Sequence, residues 1–134
     1  MEKIIIDRDK YANLNQQISS LFNLTLIEIR KKYLDYPHCL IEYFEKGYTE
    51  KAVELCFDEL EITITCMFNA GGQCNRLYLY ADRIEIIEEL ISYMNATYDY
   101  NFMKSRWEIS YYYLKVIDAD SISNEVCCFF FIFA

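Results

Sequence analysis

The segment from Leu60 to Phe68 alternates without a break: Leu60, Ile62, Ile64, Cys66 and Phe68 are separated by Glu61, Thr63, Thr65 and Met67. A two-residue period rich in β-branched side chains is the pattern of a strand with one face in a core. Asn69-Ala70-Gly71-Gly72-Gln73 follows as the one strong turn signal, and Leu77, Leu79 and Ala81 resume the alternation. This chain is therefore expected to form an antiparallel hairpin with a longish loop.

What surrounds the hairpin is mixed. Tyr11, Leu14, Ile18, Leu21 and Phe22 follow helical spacing, with Asp7 placed to cap the start. Asn23-Leu24-Thr25 interrupts before a second apolar group, Leu26, Ile27, Ile29, Tyr33 and Leu34. Asp35-Tyr36-Pro37 reads as a break and restart, which makes residues 37–46 a short helix stopped by Gly47. Residues 49–60 are ambiguous. Ala52, Val53, Cys56, Phe57 and Leu60 fit a helical face, yet Val53, Leu55 and Phe57 alternate; the spacing favours a helix capped by Thr49. After the hairpin, Asp82 with Glu85 suggests a capping box for a helix whose face carries Ile84, Ile87, Ile91, Met94 and Tyr98. Trp107, Ile109, Tyr111 and Tyr113 predict a strand. The continuously apolar residues 126–133 predict another, set in a sheet centre or covered on both faces. The expected fold is a single α+β domain over residues 1–134: N-terminal helices, then an antiparallel sheet with one amphipathic helix packed on it.

Composition narrows function mainly by exclusion. With 13 basic against 21 acidic residues and a net charge of −8, the chain offers no cationic stripe for nucleic acid. No apolar run approaches the roughly 18 residues of a membrane span. The start of the chain lacks the features of a signal peptide, and the six cysteines include no CxxC, so a cytoplasmic protein with reduced thiols is expected. His38 is the sole histidine, which rules out a His-based metal cluster and leaves only His38 for a Cys/His couple. Gly71-Gly72 lacks the Lys-Ser/Thr of a phosphate loop. The Asp118-x-Asp120 pair lacks the remainder of a calcium loop. No catalytic residue, metal or cofactor is predicted.

Charge and tyrosine leave two readings open, a solvated acidic face or an interface for a basic partner. Glu42, Glu45, Glu50, Glu54, Asp58, Glu59 and Glu61 crowd one stretch against Lys46 and Lys51. Glu50, Glu54 and Asp58 recur every fourth residue, so neighbouring pairs share a face in either helix or strand. Like charges at that spacing repel, by a few tenths of a kcal/mol, and a basic partner would relieve them. Tyrosine is abundant, at 13 residues. If Ile62, Ile64, Leu77 and Leu79 face the core, Tyr78 and Tyr80 face away from it. The same parity puts Tyr112 opposite Trp107 and Ile109. Tyrosines so placed are either covered by helices or, if exposed, are rigid amphipathic anchors for a partner.

A small, acidic, tyrosine-rich α+β chain of this kind resembles the immunity proteins of bacterial toxin systems, including the contact-dependent growth inhibition and polymorphic-toxin families. The resemblance implies a non-enzymatic protein that binds and neutralises one cognate toxin domain, often a basic nuclease. Its partner-binding residues would be Glu50, Glu54, Asp58, Glu59, Glu61, Tyr78, Tyr80 and Tyr112. Two alternatives come from other classes. One is a small-molecule-binding or enzymatic domain using an aromatic-lined pocket with His38, Cys127 or an acidic pair. The other is a homodimer or larger self-assembly that shares the apolar C-terminal strand as an edge.

Overall fold

The computed structural model describes residues 8–45, 48–109, 112–119 and 127–133, with the side chains of 39, 41–50, 117–119 and 127–129 excepted. Asp7, Gly47 and Tyr111, and the side chain of Glu50, lie outside the described residues. Two helices, α1 (Arg8–Leu21) and α2 (Leu26–Lys32), come first. Four strands follow: β1 (His38–Glu45), β2 (Tyr48–Phe57), β3 (Ile62–Phe68) and β4 (Cys74–Ala81), with a single 3₁₀ turn, Asp58–Leu60, between β2 and β3. Helix α3 (Ile84–Thr97) leads into β5 (Asp99–Asn101), β6 (Arg106–Ile109), β7 (Tyr112–Ala119) and β8 (Cys127–Phe133). Among the described residues these make one antiparallel sheet of eight strands in the order β1-β2-β3-β4-β8-β7-β6-β5. This is the expected α+β class.

The helices predicted over 37–46 and 49–60 are strands instead. Register explains why β2 is a strand. Val53, Leu55 and Phe57 pair with Cys66, Ile64 and Ile62 of β3 on the core face. Ala52, whose side chain points the other way, is also fully buried. A strand buried on both faces carries apolar residues at 52, 53, 55, 56 and 57, and that run imitates a helical stripe. Pairing along β3 outweighs it.

All three helices pack on one face of the sheet. Tyr11, Leu14, Ile18 and Leu21 of α1, Ile29 of α2, and Ile87, Leu90 and Met94 of α3 meet Leu55, Ile64, Leu77, Leu79, Phe130 and Ile132 in one core. The buried Tyr11 hydroxyl donates to Glu89 of α3 at 2.6 Å and ties the two long helices together. Thr25 caps α2 as one half of a reciprocal box: Glu28 N–H donates to Thr25 Oγ1, and Thr25 N–H donates to Glu28 Oε1, both at 3.2 Å. Such a cap contributes about 1 kcal/mol. The α1–α2 link is stitched to the start of β4 by Asn23 N–H to the Cys74 carbonyl and Cys74 N–H to the Leu24 carbonyl, both 2.8 Å. Asn23 takes the left-handed conformation (φ 69°), which asparagine tolerates at a helix end.

The β3–β4 turn lies where the sequence placed it. Asn69 Oδ1 accepts from Gln73 N–H at 3.0 Å, and Gly72 supplies the left-handed residue at φ 81°. The capping box at Asp82 does not form. Asp82 N–H donates to the Glu61 carbonyl, which leaves extended Arg83 as the residue before α3, with no side-chain cap. The single strand predicted from Trp107 to Tyr113 is instead parts of two: β6 ends at Ile109, β7 begins at Tyr112, and the two pair as Ile109↔Tyr112. Strand β8 is central, flanked by β4 and β7, so it is no edge available for sharing.

Candidate protein-docking surface

The predicted partner residues fall into three groups. Glu54, Tyr78 and Tyr80 share the outer face of the sheet, the one without described helices. There Glu54 stands in register with Thr65, Thr65 with Tyr78, and Tyr78 with Phe131. The Tyr78 and Phe131 ring centroids are 5.1 Å apart, as are those of Phe131 and Phe133. Tyr113 continues the series at 5.4 Å from Phe133, under the Arg106 guanidinium, whose central carbon lies 3.6 Å from the Tyr113 centroid. Phe131, Phe133, Tyr113 and Arg106 lengthen the predicted tyrosine set, and only strand register could have brought them together.

Asp58, Glu59 and Glu61 form the second group at the corner between β2 and β3. Asp58 and Glu59 are exposed on the 3₁₀ turn. Glu61, left-handed at φ 56°, accepts from Arg83 at 2.6 Å, and that bond raises the Arg83 pKa. Glu61 is thus already engaged by the chain's own cation. Tyr112 is the third case and a correction. Because Ile109 of β6 and Tyr112 of β7 pair directly opposite each other, they share the core face, and Tyr112 lies buried there at 1 % exposure. Its ring packs 5.5 Å from Phe22. Tyr112 cannot be a surface anchor.

The acidic corner borders a groove of about 510 Å³ that also takes in Asp35, Tyr36 and Pro37 from the α2–β1 connection and Lys10 from α1. Its wall is aromatic: Tyr36 lies 5.4 Å from Phe57 and 5.3 Å from Tyr33, with Tyr33 itself 5.8 Å from Phe57. The carbonyl of Pro37 accepts from Cys56 N–H at 2.9 Å and fixes the connection against the end of β2. Three carboxylates, Asp35, Asp58 and Glu59, thus share a cleft with a part-exposed tyrosine ring. Carboxylates pair with cations, and a ring face attracts them as well. Asp35 and Tyr36 carried no sequence signal beyond the proline break, since only folding carries them to Asp58.

Among the described residues His38 and Cys127 lie apart. His38 Nδ1 lies 2.8 Å from the Tyr36 carbonyl. His38 on β1 and Cys127 on β8 are separated by β2, β3 and β4, roughly 19 Å at ordinary strand spacing. Cys66 and Cys74 are fully buried neighbours, and the Cys74 thiol donates to the Arg76 carbonyl at 3.7 Å; the adjacent Cys74 and burial push Cys66 above the usual thiol range, while Cys66 and the Arg76 backbone hold Cys74 below it. Among the described residues no three His, Cys, Asp or Glu side chains are grouped to hold a metal, and no helix is long and apolar enough to cross a membrane.

A second cleft, of about 520 Å³, lies where α1 faces α3 and the β6–β7 end. There Asn15 Nδ2 donates to the Tyr98 hydroxyl at 3.1 Å. Burial raises the pKa of Tyr93, helped by neighbouring Tyr98, and burial likewise raises that of Tyr33. The folded state therefore holds these protons more tightly than the unfolded chain does. Their contribution to stability is complete below the unfolded tyrosine value of about 10 and is lost as pH rises through the higher folded values. Alkaline titration followed by phenolate absorbance is expected to show a last tyrosine phase coincident with unfolding. The double variant Tyr33→Phe/Tyr93→Phe should unfold at higher pH; a single tyrosine phase with the fold intact would contradict this. Comparison with protein families, with curated proteins and with solved structures finds no match for the chain.

Proposed function

We propose that this chain is a binding protein of the immunity type, which neutralises a basic toxin domain by seating a cationic part of it in the Asp35–Asp58–Glu59 groove. The observation that carries the reading is the convergence of those three carboxylates on the part-exposed Tyr36 ring within one cleft. An arginine or lysine of the partner would find a counter-charge and a ring face together there, and the net charge of −8 would steer the encounter. Glu54, Tyr78 and Tyr80 on the outer face would widen the contact; Glu61, held by Arg83, contributes less.

The test is capture from lysate of the source cells, washed at low and then high salt, with wild type beside Asp58→Lys/Glu59→Lys. The expected outcome is one stoichiometric basic protein, whose association slows roughly 10-fold or more in the double variant. The variant's circular dichroism and melting temperature should match wild type. Wild type, and not the variant, should relieve the toxicity of that protein on co-expression. Capture of nothing, or of the same protein equally by both forms, would refute the proposal.

A further inference from the structure

The β5–β6 turn holds two of the most exposed large apolar side chains among the described residues, Phe102 at 85 % and Met103 at 98 %. They are presented rigidly. Asn101 Oδ1 accepts from the N–H groups of Met103 and Lys104, both at 3.1 Å, and Asn101 Nδ2 donates to Glu108 at 3.1 Å. Behind the tip, Phe102 stands edge-on to Tyr100 at 5.0 Å, and Tyr100 stands edge-on to Trp107 at 4.9 Å. A braced apolar projection gains nothing for the fold.

A receptacle exists on the same chain. Ile27 and Leu34, exposed at 64 % and 72 %, wall a hollow of about 270 Å³ with Arg30, Lys31 and His38 around it. That volume lies below the usual range for small-molecule pockets, roughly 300–1,000 Å³, and suits a side chain or two. Helix α2 packs on β2, and His38 opens edge strand β1, whereas β5 is the other edge. Seven strand spacings, about 34 Å, separate the two edges, so the tip cannot reach the hollow of its own chain.

We propose that the chain associates head to tail with a second copy of itself, Phe102 and Met103 of one protomer seating between Ile27 and Leu34 of the next. Charge at the contact itself, not the net charge, favours this occupant: two chains of −8 repel at long range, but Arg30 and Lys31 give the hollow a basic rim. Exposed Asp99, in register with Glu108 behind the tip, would approach that rim; Glu108 is already 3.6 Å from Arg106, and the long stem of Lys104 lets its ammonium turn to solvent. A lipid surface is the weaker occupant: even a myristoyl chain anchors only marginally, and an acidic protein is repelled by anionic leaflets. The contact is not self-complementary, so it builds a ring or an open chain.

The test is sedimentation or light scattering across a wide concentration range. Wild type is expected to rise in mean mass above the 16.1 kDa monomer and, at the highest concentrations, past the dimer. Phe102→Asp/Met103→Ser (tip) and Leu34→Asp (hollow) are each expected to weaken self-association roughly 30-fold or more. Ile27→Asp replaces Leu34→Asp if the latter alters the circular dichroism. Mixed one to one, a tip variant and a hollow variant retain one intact half-site each, and must form a heterodimer that grows no further. A wild type monomeric throughout, variants that assemble like wild type, or a mixture that fails to pair would each overturn the proposal. Monomeric wild type that co-sediments with phosphatidylcholine vesicles would reassign the tip to lipid.

Discussion

Phe130→Ala is expected to destabilise the protein by about 3–5 kcal/mol, a fifth or more of the roughly 5–15 kcal/mol that a domain ordinarily possesses. Phe130 is fully buried and sits on β8, between Leu79 of β4 and Val116 of β7 in the register. Its ring lies 6.4 Å from that of Trp107. Ladders on both sides hold the β8 backbone, so the sheet cannot close on the space the ring leaves. Loss of transfer energy and a persistent cavity then add. Urea unfolding should show a lower midpoint with an unchanged slope. Phe102→Ala, at the exposed tip, is the control and should stay within about 0.5 kcal/mol of wild type. A cost for Phe130→Ala near that of the control would mean that β8 does not occupy the sheet centre.

The central position of Phe130 was half legible in the sequence. An unbroken apolar run at 126–133 called for a strand in a sheet centre or covered on both faces, and β8 is such a strand. The alternation at 62–68 and the Asn69–Gln73 turn were equally legible, because period and turn chemistry are local properties. What failed was decided at long range. Strand β2 has buried residues on both faces, and its apolar spacing passes for a helix until β3 is paired beside it. Strand parity carried from Trp107 to Tyr113 puts Tyr112 on the outer face, but Ile109 and Tyr112 belong to two strands that pair with each other and so share the core face. The three-residue β5 is too short to show a period.

The docking surface divides in the same way. Asp58 and Glu59 were readable as an excess of charge, and the fold leaves them exposed. Their groove partners Asp35 and Tyr36, more than twenty residues earlier in the chain, were not. Nor was the Phe102–Met103 tip, whose turn uses Asn101 and a left-handed Ser105 (φ 52°) in place of the usual glycine or proline. An interface is a property of juxtaposed segments. Only those of its parts that lie together in the sequence leave a trace there.

Trp107→Ala should also destabilise the protein by about 3–5 kcal/mol, but its effect should concentrate at one edge of the sheet. The indole is 4 % exposed, in register with Tyr100 on one side and Leu114 on the other. Its Nε1–H donates to Asn95 Oδ1 of α3 at 3.0 Å, so one side chain joins the last turn of α3 to the short β5–β6 hairpin. Asn95→Ala removes only that bond and should destabilise by about 1 kcal/mol. In a double-mutant cycle with Trp107→Phe, the shared bond should appear as a coupling of roughly 0.5–1.5 kcal/mol. Hydrogen exchange should locate the damage. Amides of β5 and β6 would lose protection in Trp107→Ala well before those of β2, β3 and β4, because Tyr100 rests on the indole and Phe102 on Tyr100. If Trp107→Ala destabilised no more than Asn95→Ala, the indole would serve only as a hydrogen-bond donor. The rigid seat of the Phe102–Met103 tip would then have to come from Asn101 alone.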